Sequence, residues 1–596
     1  MSENEKILVE LETLPKGGIT YKKINGRAYA YYQWTQDGRQ HSRRVKDEEL
    51  GELSEKIQRR KELQEQVKGA GITAIKKVNP DTVFQCAVRV GTDLERFAKP
   101  VSGWKKRECF AQLREYVFGS ISDRVYILYG LRRTGKTTLI RQCILDMSED
   151  QRERTVFIQV QNHNTLKDLN QDIKYLEAHG YEYVFIDEVT LLDDFIEGAA
   201  LFSDVFAASG MRIILSGTDS LGFLFTENEE LYDRCLMAHT TFIPYREFEE
   251  VLGVAGIDEY IRYGGTMSIG GIHYNGQNAV FATKKSTDEY IDSAIAHNIQ
   301  HSLKNYEYEG HFRSLRELYE KHELTNVINR IVEDINHRFT MEVLTRKFNS
   351  GDLQISAKNL RKDRENPNDV LDRIDLKKTN QRLKELLEIR DKEEQTVEIQ
   401  DAHRREIKEY LALLDLTREI EVRWMTDFNR KETRTVFSQP GIRYAQASAV
   451  IRSLMQDEIF RDQSLKERTW VTERIMDEIR GRMMEDIVLL ETEIARRNCE
   501  VFKLQFAVGE FDMVVFDPKE GCCEIYEIKH SAQIVKEQYR HLNDVFKCRE
   551  TEFRYGTIMG KTVIYRGKTQ RIETEEGEIN YQNVEEYLKG LTGGIM

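Results

Sequence analysis

Proline is scarce in this chain: seven in 596 residues, which argues against long disordered linkers. Cysteine is scarce too. The eight present (Cys86, Cys109, Cys143, Cys235, Cys499, Cys522, Cys523 and Cys548) form no C-x-x-C pair, a pattern that reads as reduced thiols in a cytosolic protein. No apolar run approaches the roughly 18–20 residues a membrane helix needs. The opening Met1-Ser2-Glu3-Asn4-Glu5-Lys6 lacks the basic-then-apolar order of a secretory signal. The expectation is a cytoplasmic chain without a membrane partner. A surplus of basic charge is also missing. The formal charge is −13 with both signs abundant, so any contact with nucleic acid must come from a local patch. The length suffices for three or four domains, each with its own core.

The most informative stretch is Tyr126-Ile127-Leu128-Tyr129 followed by Gly130-Leu131-Arg132-Arg133-Thr134-Gly135-Lys136-Thr137-Thr138. It reads as a buried strand, a glycine-bounded loop and a helix start, and it fits G-x-x-x-x-G-K-[ST] at every fixed position. Glycines let the backbone aim N–H groups at phosphate oxygens, and the helix adds its positive dipole end. Lys136 suits the β- and γ-phosphates, and the Thr137 hydroxyl suits Mg²⁺. ATP and Mg²⁺ are therefore the expected cofactors.

Thr155–Val160 reads as a second buried strand. Tyr183-Val184-Phe185-Ile186 ends in Asp187-Glu188, where Asp187 would hold Mg²⁺ through water and Glu188 would orient or deprotonate the attacking water. A fourth strand, Met211–Leu215, ends in Ser216-Gly217-Thr218-Asp219-Ser220, whose small hydroxyl residues suit sensing of the γ-phosphate. Strands alternating with helices imply a parallel sheet with its ligand at the carboxyl ends. Beyond it come Arg234, Pro244-Tyr245-Arg246-Glu247-Phe248 and Tyr263-Gly264-Gly265. Together these residues resemble a family of prokaryotic AAA-type ATPases with a G-x-R-R-x-G-K-T loop, a Walker B Asp-Glu, a Pro-x-x-x-Phe segment and a Gly-Gly turn. The resemblance covers roughly 105–305. It implies nucleotide contacts by the paired Arg132 and Arg133 and a sensing role for Arg234, although Asp233 replaces the family's Gly before that arginine.

Two further regions carry signals. Residues 16–46 hold eight basic residues (Lys16, Lys22, Lys23, Arg27, Arg39, Arg43, Arg44 and Lys46) and one acid, Asp37. Asn25-Gly26 and Asp37-Gly38 are hairpin signals, predicting strands at about 19–24, 27–35 and 39–45 before a charged helix over 47–69. Such a ribbon suits a DNA groove or a protein partner. At the other end, a helix over about 466–497 carries Glu485, one strand carries Glu510 and Asp512, and the next carries Glu527 and Lys529. Residues two apart share a strand face, so Glu527 lies beside Lys529 and Glu510 beside Asp512. Stacked acids need a compensating cation. This layout resembles the PD-(D/E)xK nuclease superfamily, which implies a metal held by Glu485, Asp512 and Glu527, with Lys529 near the attacking water.

The expected fold is multidomain α/β. A basic β-ribbon plus helix (1–70) and a linker (71–104) precede a P-loop AAA-type parallel-sheet domain with lid (105–305). A helical or winged-helix-like region follows (306–445), including a candidate element from Glu342 to Ile389, and then an α/β restriction-endonuclease-like domain (446–596). The expected function is an ATPase coupled to a metal-dependent nuclease, in defence or mobile-element control, acting on nucleic acid, DNA before RNA. Self-assembly into a homo-oligomer is left open. A non-catalytic ATP-dependent switch, whose C-terminal domain only binds nucleic acid or a partner, and a transcription regulator using the ribbon are the competing readings.

Overall fold

The computed structural model describes residues 13–24, 27–36, 39–69, 84–120, 123–192, 194–218, 223, 231, 233–265, 268–269, 272–273, 312–350, 399–427, 429–430, 432–456 and 464–591. The helix-like sequence stretches 287–305 and 378–392, and all of the Glu342–Ile389 element beyond residue 350, lie outside these residues. No described helix is long and apolar enough to cross a membrane.

The N-terminal ribbon is an antiparallel meander of β1 (Gly18–Ile24), β2 (Arg27–Gln36) and β3 (Arg39–Arg44), followed by helix α1 (Asp47–Gly69). The hairpin signals Asn25-Gly26 and Asp37-Gly38 lie outside the described residues. The Val45 amide donates to the Ala30 carbonyl at 2.9 Å, and Arg60 reaches back to the Leu14 carbonyl at 2.8 Å, tying α1 to the chain before the sheet.

The second sheet has the order β4-β6-β7-β8-β5-β9, built from Ala87–Arg89, Thr155–Gln159, Tyr183–Asp187, Arg212–Gly217, Val125–Tyr129 and Cys235–His239. All its pairs are parallel except β4 with β6. Such strands are covered on both faces, so they read as nearly continuous apolar runs. Alternation divides them between two cores. Tyr126 and Leu128 face Leu113, Leu139 and Ile140, while Val125 and Ile127 face the opposite core with Leu169 and Ile173. Strand β4 lies within 71–104, expected as linker. Three residues show no periodicity, so only pairing with β6 reveals it as a strand. A two-stranded hairpin, β10 (Ser268–Ile269) and β11 (Ile272–His273), follows the sheet.

The third sheet has eight strands in the order β13-β12-β14-β15-β16-β17-β19-β18. They are β12 (Thr417–Trp424), β13 (Glu432–Phe437), β14 (Glu500–Gln505), β15 (Glu510–Asp517), β16 (Cys522–Lys529), β17 (Thr557–Tyr565), β18 (Gln570–Thr574) and β19 (Gly577–Asn583). Strands β12 and β13 come from the 306–445 region expected to be helical, and β12 pairs in parallel with β14. Their alternating charges read locally as a solvated surface, and the long-range pairing decides otherwise.

The labelled helices that position the sites are α2 (Lys136–Asp146), α3 (Tyr245–Leu252), α4 (Ile257–Tyr263), α5 (Leu324–Ser350), α6 (Asp401–Leu413) and α7 (Leu465–Ala495). Helix α7 buries Ile475, Ile479, Met483, Ile487 and Leu490 at helical spacing, in one core with Tyr245, Phe248 and Tyr260 of α3 and α4. Helices α3 and α4, which follow the second sheet in the chain, thus share a core with the third sheet, and Phe437 of β13 joins the core of the second sheet. Beside α3, Glu491 of α7 is buried and accepts the Tyr245 amide at 2.7 Å, satisfying a helix-start N–H that α3 cannot. Burial pushes its pKa from 4.5 up to about 7.

The unfolded carboxyl ionises near 4.5, whereas the folded one keeps its proton to about 7. Between those values the folded state binds more protons, so stability falls as pH rises through this window. Glu491→Gln is expected to remove about 3 kcal/mol of that pH-linked loss. The check is thermal melting at pH 5 and pH 8: wild type loses stability relative to the variant, and parallel behaviour of the two proteins would contradict the assignment.

Candidate functional site

After β5 the chain turns through left-handed backbone at Gly130 (φ 139°) and Gly135 (φ 97°). A Cβ at Gly130 would lie 2.4 Å from the Thr240 carbonyl, so only glycine lets the loop pass so close to the end of β9. Gly135 precedes α2, whose free N–H groups make its start an anion-attracting terminus. Buried Lys136 turns back over the loop and donates to the Gly130 and Leu131 carbonyls, each at 2.8 Å. Burial lowers its pKa to about 8, against the opposing pull of Glu188 and Asp187. Thr134 donates to the Leu131 carbonyl at 2.8 Å and lies 2.9 Å from the Thr240 hydroxyl.

Strand β8 lies between β5 and β7, so three carboxyl ends converge on the loop. Thr137 Oγ1 donates to Asp187 Oδ2 at 2.9 Å, and Ser216 Oγ donates to Asp187 Oδ1. Glu188 sits at φ 57° and accepts from Thr218 Oγ1 at 3.2 Å. Burial and then the Asp187 charge raise its pKa. Arg132 is exposed, while Arg133 and Thr138 are half-buried on the loop and the first turn of α2.

Arg234 is not brought here. Its carbonyl accepts the Val125 amide at 3.0 Å, and parallel pairing sets Cys235 beside Val125 and His239 beside Tyr129. At about 3.3 Å per residue, Arg234 lies about 13 Å or more from the loop, at the opposite end of the sheet. Its guanidinium pairs with Asp204 at 2.9 Å. The expected sensing contact is therefore corrected, because motif order along the chain carries no register.

Residues 122–249 match the family model described as an AAA domain. The chain carries an AAA-type P-loop core. Residues 2–69, the ribbon and α1, match a model described as a domain of unknown function, DUF6788. No curated protein matches the sequence. The solved structure of the Aeropyrum pernix Orc1 protein in complex with DNA aligns over 64% of this chain and 96% of that chain, at 11% identity. Its TM-score of 0.19 is too low to describe a shared fold.

One residue of the AAA core that sequence reasoning missed is Arg107. It is 5% exposed and donates Nε to Glu247 at 2.5 Å, Nη1 to the Thr134 and Thr241 carbonyls at 2.8 and 3.1 Å, and Nη2 to the Phe242 carbonyl at 3.2 Å. Next to it, Arg246 grips Glu108 with two bonds of 2.7 and 2.8 Å. The phosphate-loop backbone is thereby fastened to α3. The available signal was the pair of adjacent opposite charges at Arg107-Glu108 and Arg246-Glu247, which local periodicity does not connect.

The C-terminal constellation forms on β14, β15 and β16. Lys529 Nζ lies 2.7 Å from Asp512 and 2.5 Å from Glu527. Asp512 also accepts the Ile528 amide at 2.9 Å. A bulge sets Asp512 and Met513 of β15 against Lys503 of β14, since pairing passes from Leu504 with Phe511 to Phe502 with Val514. Lys503 Nζ reaches Glu510 at 2.9 Å, Glu485 at 3.5 Å and Asp512 at 3.6 Å. Burial would raise the Asp512 pKa, but Lys529 and Lys503 hold it far below the carboxylate range. Glu527 goes the other way, raised by burial and by Asp512.

The residues offer a divalent ion a pair of carboxylates, one of which has an orphaned atom: buried Glu527 Oε1 has no hydrogen-bond partner. Hard cations take oxygen ligands of this kind. Glu485, expected as a third ligand, instead pairs with Arg482 and Lys503. Among the described residues, no group of three or more His, Cys, Asp or Glu is arranged to hold a metal. Lys503 and Arg482 were missed in the sequence, where the only signal for Lys503 was a single lysine inside the apolar run of β14.

Removing Arg107 would leave Glu247 buried without its counter-charge. Arg107→Ala is expected to destabilise the fold by about 3–5 kcal/mol, read by urea unfolding. A loss under about 1 kcal/mol would show that water readily replaces the guanidinium.

Proposed function

We propose that this chain hydrolyses ATP in its AAA core and uses the nucleotide state to control a restriction-endonuclease-like, Mg²⁺-dependent nuclease in its third sheet, acting on nucleic acid and on DNA first. In this reading the AAA unit begins near residue 84 and the nuclease unit includes 417–437. The loop N–H groups and Lys136 hold the triphosphate, Thr137 and Asp187 hold its Mg²⁺, Ser216 orients Asp187, and Glu188 is the base. The observation that carries the nuclease half is the unpartnered buried Glu527 oxygen beside Asp512, with Lys529 touching both carboxylates. A divalent ion bound there would neutralise charge on the scissile phosphate. Lys529 positions the attacking water, and Lys503 holds Asp512 ionised. The basic ribbon of residues 16–46 adds attraction for phosphates.

Two lines of contact support coupling. Arg107 joins the Thr134 carbonyl to Glu247 on α3, and the Tyr245 amide on the same helix binds Glu491 on α7, the helix that carries Glu485. On the other side, Asp258 of α4 lies 2.8 Å from His530, the residue after Lys529. A second reading, the non-catalytic switch, is favoured by one observation: Lys503 and Lys529 themselves pair with the acids, at 2.9 Å to Glu510 and 2.7 Å to Asp512.

Glu188→Gln is expected to retain ATP binding and to lower turnover by at least about 10²-fold. Hydrolysis at the wild-type rate would remove Glu188 as the base. Asp512→Ala is expected to abolish metal-dependent cutting of DNA while leaving ATP turnover intact. Equal products from variant and wild type, with Mg²⁺ or Mn²⁺, would contradict the nuclease assignment. If wild type cuts no nucleic acid, the switch reading stands.

A further inference from the structure

A cleft of about 1100 Å³ opens between α5, α6 and the strands β12 and β13, and its lining includes Lys503 and Glu510 of the acid–lysine cluster. Eight lining residues are Lys or Arg and five are Asp or Glu; Arg434 and Arg443 pair with Asp486, Arg482 with Glu485 and Lys503 with Glu510, so the surplus positive charge lies on the α5 and α6 side. Arg338 and Arg404 share the single carboxylate of Asp334, at 3.1 and 2.5 Å, which leaves positive charge over. Arg405 and Lys408 are exposed on α6, with no ion pair among the described residues. The same cleft is lined by Trp424, half-buried on β12, with the Arg430 guanidinium 3.8 Å from its ring centre. Cations and an aromatic ring lining one cleft are the means by which proteins hold an unpaired strand.

Stacking selects among nucleic acids. The bases of a duplex are already stacked on one another, whereas those of a single strand are free to stack on an aromatic side chain. A single strand suits the cleft, with its backbone along α6 and a base against Trp424. We propose that this cleft receives single-stranded nucleic acid and leads it to the cluster around Asp512. The location of the cut rests on the nuclease reading; the binding does not.

The test is fluorescence anisotropy on the full chain, with a labelled dodecathymidylate and a hairpin duplex of equal phosphate count. Wild type is expected to prefer the single strand. The double variant Arg405→Glu/Lys408→Glu changes two exposed positions, and is expected to weaken single-strand binding at least tenfold. The slope of log affinity against log salt should fall by about 1.4, two phosphate contacts at about 0.7 each. Its ATP turnover and duplex binding should stay at wild-type levels. Unchanged single-strand affinity would overturn the proposal and assign binding to another surface, such as the ribbon of residues 16–46. A wild-type preference for the duplex would also overturn it. Asp512→Ala separates the two ideas. If it still cuts while the double variant loses binding, the nuclease assignment fails and the cleft stands. If it stops cutting while the double variant binds normally, the reverse holds.

Discussion

Arg107 occupies a position that no solvent molecule could fill with the same result. Its guanidinium is buried, and it satisfies the carbonyls of Thr134, Thr241 and Phe242 together with the Glu247 carboxylate. Burying a guanidinium is tolerable only because every direction it points in meets an acceptor. Thr134 belongs to the phosphate loop and Glu247 to α3, so the loop cannot shift without disturbing that helix. Helix α3 in turn starts on Glu491 of α7. The loop is therefore tied to a helix packed against the third sheet through buried hydrogen bonds.

The third sheet solves a different electrostatic problem. Glu485, Glu510, Asp512 and Glu527 converge, and carboxylates packed together in low dielectric repel. Lys503 and Lys529 answer that repulsion, and the two ends of the cluster behave unequally. Asp512 lies against both ammonium groups and stays ionised, whereas Glu527 retains an unpartnered oxygen and a raised pKa. Such inequality between neighbouring acids is common where one site must hold both charge and a proton. The bulge opposite Lys503 makes the arrangement possible, because the added β15 residue draws Asp512 toward that lysine.

The division of labour between the sheets also bears on the placement of the sites. The phosphate loop lies at the carboxyl ends of β5, β7 and β8, while Lys503 and Glu510 of the acid–lysine cluster line the cleft walled by α5 and α6. The two candidate sites thus have separate surroundings, although α3 and α4, tied to the phosphate loop through Arg107 and Glu247, share core with α7.

Local chemistry alone determined a good deal. The left-handed turns at Gly130 and Gly135 require glycine, parallel buried strands require apolar runs, and Asn-Gly and Asp-Gly specify tight hairpins. The P-loop core, the ribbon strands and the α/β character of the third sheet were therefore legible in residues a few positions apart. Register and long-range pairing were not. They decide that Arg234 lies at the far end of its sheet, that Ala87–Arg89 is a strand rather than linker, and that Thr417–Trp424 joins β14. They also decide that Glu485 meets Arg482 and Lys503, and that Arg107 finds Glu247 across the fold. The physical reason is common to all of these. A charged side chain shows its type in the sequence, but its partner is chosen by burial, which exists only once distant segments have packed together.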